Sequence, residues 1–243
     1  MQHITVITGG GRGIGAATAR RLARDGHRVA IGYRRDAESA TAVAEQIEAA
    51  GGRCLPVAVD TTDQADVARL FAAAAESLGP VTGLVNNAGI TSLMGRLADA
   101  RAEDLRRVVE VNVVGYLLCA RLAARTLPRG GSIVNISSAA ATLGSPGAYV
   151  HYAASKAAVD AMTIGLAKEL AADGIRVNAV APGIVRTDIH AVSGDPDRPN
   201  TAAGRIPMGR AGEPDEIAEA VAWLMSPAAS YTTGAVLRVS GGL

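Results

Sequence analysis

A short β-branched run, Ile4-Thr5-Val6-Ile7, leads into Thr8-Gly9-Gly10-Gly11-Arg12-Gly13-Ile14-Gly15, and a helical pattern follows over residues 16–24. A strand, a glycine loop and a helix in that order leave little freedom in what the chain can fold into. Glycines let the backbone turn sharply and approach a ligand closely. The helix start behind them offers unpaired N–H groups and the positive end of its dipole. A dinucleotide pyrophosphate suits that place, and Gly9, Gly11, Arg12, Gly13, Ile14 and Gly15 are the candidate contacts. No Gly-Lys-Ser/Thr closes the loop, which argues against a P-loop nucleotidase.

The same alternation continues to the end of the chain. Strand patterns stand at 27–33, 54–59, 83–85, 132–136, 176–180 and 235–239, and helix patterns at 37–50, 63–78, 102–127, up to about 172, and 213–225. Asp36 is placed to cap the helix at 37–50. The expected fold is α/β: one domain over residues 1–243, a Rossmann-like doubly wound parallel sheet of about seven strands with helices on both faces. Ligands in such folds sit at the carboxyl ends of the strands. Those ends carry the glycine loop, Tyr33-Arg34-Arg35, Asp60-Thr61, Asn86, Ala88, Gly89, Ser138, Pro182 and Gly183. A carboxylate for a ribose 2′-OH is missing at Tyr33, while Arg12, Arg34 and Arg35 suit a 2′-phosphate. The expected cofactor is therefore NADP(H), with NAD(H) possible. Residues 188–212 are rich in Gly, Pro and polar side chains, with Ile189, Val192, Ile206 and Met208 as apolar exceptions, and are expected to order as a lid over substrate.

Composition narrows the partners. Aromatic residues make up 3% and the formal net charge is +1, which argues against stacking on nucleic-acid bases and against attraction to DNA or an anionic membrane. Cys54 and Cys119 form no C-x-x-C and no metal-ligand cluster, so no catalytic metal is expected; reduced core thiols point to a cytoplasmic location. No apolar run reaches transmembrane length, and the early strand pattern leaves no room for a secretory leader.

Tyr152 and Lys156 stand four apart, one helical turn from each other. A phenol has a reference pKa of ~10 and is a poor proton donor at neutral pH. Bringing it to about 7 takes roughly 4 kcal/mol of differential stabilisation, which an adjacent cation can contribute. Such a pair is common on solvated helices; the shared strand-end location raises it to a candidate general acid/base. Tyr149 and His151 have no lysine four residues on and read as pocket or surface residues.

With Thr8-Gly9-x-x-x-Gly13-x-Gly15, Asn86-Asn87-Ala88-Gly89, Asn112, Ser138, Tyr152-x-x-x-Lys156 and Pro182-Gly183 in this order, the chain closely resembles the short-chain dehydrogenase/reductase family over essentially its full length. The resemblance implies a tetrad of Asn112, Ser138, Tyr152 and Lys156. Tyr152 would exchange a proton with the carbonyl or alcohol oxygen, and Ser138 would hydrogen-bond the same oxygen. Lys156 would hold the nicotinamide ribose and lower the tyrosine pKa. Asn112 would distort its helix and hold a water leading to Lys156. Asn86, Val185 and Thr187 would contact the cofactor. Ser138 to Tyr152 spans fourteen positions, one more than the commonest spacing in the family, and Ser138 rather than Ser137 is taken as the catalytic serine. The implied assembly is a homotetramer paired through the helices bearing Asn112 and Tyr152, where Ala153, Ala157, Ala161 and Gly165 permit close approach. The sequence looks like the branch containing 3-oxoacyl-acyl-carrier-protein reductases and glucose or polyol dehydrogenases. Arg121, Arg125 and Arg129, at intervals of four, could supply a basic dock for a carrier protein, though Pro128 ends the helix before the third, and read more simply as solvated helix-face residues. The expected activity is interconversion of a small-molecule carbonyl and secondary alcohol; a non-catalytic NADP(H) sensor is the rival reading.

Overall fold

The structure is a computed structural model that describes residues 2–243. Seven parallel strands form one sheet: β1 (Ile4–Thr8), β2 (Arg28–Tyr33), β3 (Arg53–Ala58), β4 (Gly83–Asn86), β5 (Ser132–Ile136), β6 (Arg176–Pro182) and β7 (Val236–Val239). Their spatial order is β3-β2-β1-β4-β5-β6-β7. The sheet winds outward in both directions from the β1–β4 junction, where Thr5 pairs with Gly83 and Ile7 with Val85. At that junction the crossovers to either side part and leave a crevice above the carboxyl ends. The inner strands are apolar on both faces, as a sheet covered twice requires. β1, β4 and β5 are buried throughout.

The helices are α1 (Gly13–Arg24), α2 (Ala37–Ala49), α3 (Gln64–Leu78), α4 (Ala102–Val109), α5 (Gly115–Thr126), α6 (Ala140–Leu143), α7 (Val150–Leu170), α8 (Ile189–Val192), α9 (Arg198–Thr201) and α10 (Pro214–Met225). Leu22 of α1, Val43 and Ile47 of α2 and Ile217, Val221 and Leu224 of α10 pack on one face with Ile7, Ile31 and Val134 of the sheet. Val67, Leu70 and Phe71 of α3, Cys119 and Ala123 of α5 and Ala167 and Leu170 of α7 pack on the other with Val6, Leu84 and Ile133. Asp36 and Asp63 cap α2 and α3, accepting from the N–H groups of Ser39 and Ala65.

Two stretches carry more structure than the residue patterns alone display, the first of them at the Asn112 distortion that the family resemblance implies. The helix expected over 102–127 is broken by a π-helical turn, Glu110–Val114, between α4 and α5. Residues 188–212 hold the short helices α8 and α9 and a 3-10 turn, Ala203–Arg205. Burial of His190, Ser193, Pro199, Ala202 and Ile206 anchors them. The segment is tied to its surroundings by His190 Nε2 to the Val185 carbonyl (2.8 Å) and by Met94 N–H to the Ser193 carbonyl (3.0 Å).

Candidate active site

A cleft of about 560 Å³ runs along the carboxyl ends of β1, β2, β4, β5 and β6. At one end stand Gly9, Gly11, Arg12, Gly13 and Ile14, then Tyr33, Arg34, Arg35, Asp60 and Thr61. At the other stand Ala88, Gly89, Ser138, Tyr152, Lys156, Pro182, Gly183, Val185 and Thr187. The topology thus brings most of the sequence candidates to one continuous surface. Arg12 occupies the N-cap position of α1 and makes no side-chain cap bond, and the first turn holds no acid. In contrast to α2 and α3, this helix start leaves its N–H groups open to the cleft. That is the cradle a pyrophosphate needs, and the residues present fit a dinucleotide.

Two candidates from the glycine and asparagine motifs do not face the cleft. Gly15 is buried under the loop, where a Cβ would stand 2.2 Å from the Gly9 carbonyl oxygen. Its role is to let α1 close against the loop. Asn86 is fully buried. Its Nδ2 donates to Asn135 Oδ1 (3.0 Å) and to the Tyr116 carbonyl (3.3 Å), and Asn135 in turn donates to Thr163 Oγ1 (2.9 Å). The next asparagine ties two strand-end loops together. Asn87 Nδ2 donates to the carbonyls of Thr8 and Gly9, both at 3.0 Å, and Thr8 Oγ1 accepts from the N–H groups of Asn87 and Ala88. Gly9 adopts φ +65, and a Cβ there would meet Ala88 Cα at 2.9 Å, so the two loops touch backbone to backbone.

The arginines expected to converge on the adenosine ribose are partly engaged. Arg34 Nε lies 2.8 Å from Asp60 Oδ2, and Arg107, which the sequence reading passed over, reaches the same oxygen at 3.6 Å. Burial pushes the Asp60 carboxyl up, but the Thr62 hydroxyl and N–H, with Arg34 and Arg107, hold it below the ordinary carboxylate value. Asp36 is held low by the Ser39 N–H and hydroxyl, with Arg12 contributing through its charge. Arg35 is exposed and extends along the cleft wall.

At the opposite end, Ser138 is half-buried; its Oγ accepts from the Ala140 N–H at 3.1 Å, and its hydroxyl lies near enough to the Tyr152 phenol to favour the ionised form. Ser137 is buried and donates instead to the Lys156 carbonyl at 3.3 Å. Between Ser138 and Tyr152 the chain forms α6 and a tight turn in which Gly144, Ser145 and Gly147 all have positive φ (73, 47 and 70). Lys156 is buried; its Nζ donates to the Ile136 carbonyl (2.7 Å) and to Tyr116 Oη (3.2 Å), and lies 5.8 Å from the Tyr152 ring centroid.

The expected electrostatics are reversed. Burial pushes the Tyr152 phenol above its ordinary value, Tyr149 adds to this, and the Ser138 hydroxyl offsets part of it. Burial lowers Lys156 to about 7, and Asp160 restores little. Helical spacing puts both side chains on one face, yet the ammonium turns toward the sheet. Each group, stripped of water, moves toward its neutral form.

Asn112 sits in the π turn. Its Oδ1 accepts from the Ile90 N–H (2.9 Å), and its Nδ2 donates to the Ile90 carbonyl (2.9 Å) and to Ser155 Oγ (3.0 Å). Tyr149 lines the cleft, edge-on to Tyr152 with ring centroids 5.3 Å apart. His151, expected in the pocket or on the surface, is buried and bonded through Nε2 to Ser92 Oγ at 2.8 Å. Arg121 reaches Gln64 Oε1 and Arg129 the Ala172 carbonyl, so these two do not form one free basic face. Among the described residues no group of three His, Cys, Asp or Glu side chains could hold a metal, and no helix is long and apolar enough to cross a membrane.

A family model described as enoyl-(acyl carrier protein) reductase matches residues 9–243. The chain belongs to the short-chain dehydrogenase/reductase family. As such it is an oxidoreductase acting on alcohol and carbonyl groups. It is 44% identical over 244 residues to the uncharacterised oxidoreductase YgfF of Escherichia coli, covering 98% of this chain and 99% of that one. It is also 44% identical over 244 residues to cis-4-hydroxycyclohexanecarboxylate dehydrogenase of Sinomonas cyclohexanicum, covering 99% and 96%. A crystal structure of a short-chain dehydrogenase from Burkholderia cenocepacia in complex with NADP superposes with a TM-score of 0.92 at 38% identity, covering 99% of this chain and 97% of that one.

Proposed function

We propose that this dehydrogenase/reductase is an NADP(H)-preferring enzyme that interconverts a small-molecule ketone and secondary alcohol, with Tyr152 as the group that moves the proton. One observation carries the reading. The Tyr152 phenol, the Ser138 hydroxyl and the Lys156 ammonium line one end of a cleft whose other end is the open start of α1. When bound, the nicotinamide supplies or takes the hydride. The chain supplies the rest. Ser138 and Tyr152 aim two hydroxyls at the substrate oxygen, and burial keeps Tyr152 protonated, ready to give its proton to a developing alkoxide. Lys156, near 7 and bonded to Ile136 and Tyr116, is poised to hold the ribose hydroxyls and to exchange a proton at working pH.

Arg12 and Arg35 are the free cations for a 2′-phosphate, and Arg34 joins them by leaving Asp60. The solved relative with NADP supports that preference. Binding of NAD(H) is possible but weaker, because no carboxylate stands at Tyr33 to take the ribose 2′-OH. The catalytic unit is a single domain, with residues 188–212 as its lid. Buried free Cys54 and Cys119 suit a reducing cytoplasm. The unit pairs into a homotetramer through the α4–α5 and α7 faces, where Val109, Leu117 and Ile164 are exposed. The engaged Arg121 and Arg129 weigh against a carrier-protein substrate.

Tyr152→Phe removes only the hydroxyl. Ketone reduction should fall about 10²–10⁴-fold while NADPH affinity, read by fluorescence titration, stays level. Wild-type alcohol oxidation should climb with pH as Tyr152 ionises, and the variant should lack that climb. Full turnover in Tyr152→Phe with a good substrate would end the proposal.

A further inference from the structure

Beside Tyr149 a cation stands without a carboxylate. Arg198 opens α9, in the segment that borders the substrate end of the cleft. Its guanidinium carbon lies 5.3 Å from the Tyr149 ring centroid, and that ring is 5.3 Å from the Tyr152 ring. Two such steps put the guanidinium no more than 10.6 Å from the Tyr152 ring. It is also close enough to the cleft residue His190 for its charge to lower that imidazole, after the larger effect of burial.

The partners of Arg198 are poor acceptors for a guanidinium. One terminal nitrogen donates to the Met94 thioether sulfur, and Nε is buried with no partner. Nearby arginines are treated differently: Arg186 pairs with Glu213 at 3.1 Å and Arg210 with Glu216 at 2.7 Å. Acids adjoin Arg198 in sequence, yet Asp197 accepts from Asn200 Nδ2 at 2.6 Å, and among the described residues no carboxylate is paired with Arg198. A planar fork of N–H donors held partly out of water is built for a carboxylate, which it takes with two bonds at once.

We propose that Arg198 binds a carboxylate on the substrate, so that the enzyme acts on an oxo acid or hydroxy acid whose acid group lies a short spacer from the reacting carbon. The inference rests on the oxidoreductase reading of the cleft. It differs from a purely mechanical role for Arg198, in which the stack on Tyr149 and the contact with Met94 simply hold the lid to its neighbours. A mechanical clasp acts on every substrate alike, whereas an anion site distinguishes a carboxylate from its ester.

The test uses matched pairs, levulinate against methyl levulinate and oxocyclohexanecarboxylate against its methyl ester, with cyclohexanone as a neutral control. The wild type should favour the acids in kcat/KM by about tenfold to a hundredfold, the range of a charge-assisted bidentate pair. Arg198→Met should erase that preference chiefly through KM while keeping cyclohexanone reduction, and Arg198→Lys should retain part of it. Calorimetric titration of cyclohexanecarboxylate into the NADP-loaded protein gives a readout without turnover, with binding expected in the wild type and lost in Arg198→Met. Equal losses on acids and esters, no acid preference in the wild type, or no carboxylate binding would each overturn the inference. Turnover of cyclohexanone alongside any of these leaves the redox reading standing. Carboxylate binding lost in Arg198→Met, with no ketone reduced, upholds the anion site and removes the redox reading instead.

Discussion

Lys156 reaches into the sheet rather than toward water, and its charge follows from that. Its ammonium is lowered from an ordinary lysine value to about 7 by burial, while the unfolded chain titrates near ~10.4. Between those values the unfolded state binds a proton that the folded state does not, so stability rises with pH in that window. In ligand-free protein, the stability of the wild type relative to Lys156→Met should therefore increase by on the order of a few kcal/mol from about pH 7 to about pH 10, and stay level below about pH 6. Urea unfolding of both proteins across that range reads it directly; a difference constant with pH would mean that Nζ is hydrated. That Tyr152, Lys156 and Ser138 line one cleft was legible from spacing, strand-end position and the family resemblance. Their charge states were not, because burial depends on which way a side chain turns, and periodicity is silent on that. The same limit explains Asn86 and Asn87. Adjacent asparagines on a strand end point to opposite sides, and only the sheet decides which one enters the core and which one clasps the glycine loop.

Between α4 and α5 the π turn does what a straight helix would not: it sets Asn112 against Ile90, bonding both backbone polar groups of that residue. Asn112→Ala leaves a half-buried N–H and C=O unpaired. It should destabilise the protein by about 2–4 kcal/mol, at roughly 1–3 kcal/mol for each orphaned group, and speed amide exchange at Ile90. Chemical denaturation and hydrogen exchange measure the two effects; loss of activity with full stability would assign Asn112 to chemistry alone. The residue pattern alone reads as one continuous helix here, and the distortion at Asn112 was legible only through the family resemblance. Most other elements were readable. The β-branched runs and the caps at Asp36 and Asp63 are local signals, and the structure has β1 to β7 and α1 to α3 within a few residues of those patterns. Residues 188–212 were legible only as a loop, since α8 and α9 are too short to show a period and exist through contacts with Val185 and Met94.

At the scale of the whole molecule, α7 leaves part of itself uncovered. Ala153 is buried, but Ala161, Ile164 and Gly165 are exposed, and a Cβ on Gly165 would meet nothing within 4 Å. If this face joins subunits, Gly165→Arg should split the tetramer while leaving each chain folded, because the new side chain has open space in the monomer and none in a close helix pair. Light scattering with circular dichroism checks both halves of that expectation; an unchanged mass would place the interface elsewhere. The order of the sheet has a consequence of another kind. Every strand neighbours its sequential partner except at the single junction of β1 with β4. During synthesis, when amino-terminal segments emerge and collapse first, β1, β2 and β3 can associate while the glycine loop still lacks Asn87 to hold it. The half-made sheet exposes an edge of β1 and offers no complete cradle for a dinucleotide. Ligand can lower the free energy only of chains that have already closed that junction, so the dinucleotide proposed for this cleft would act as a late ratchet on maturation, protecting finished molecules from proteolysis while leaving unfinished ones to chaperones.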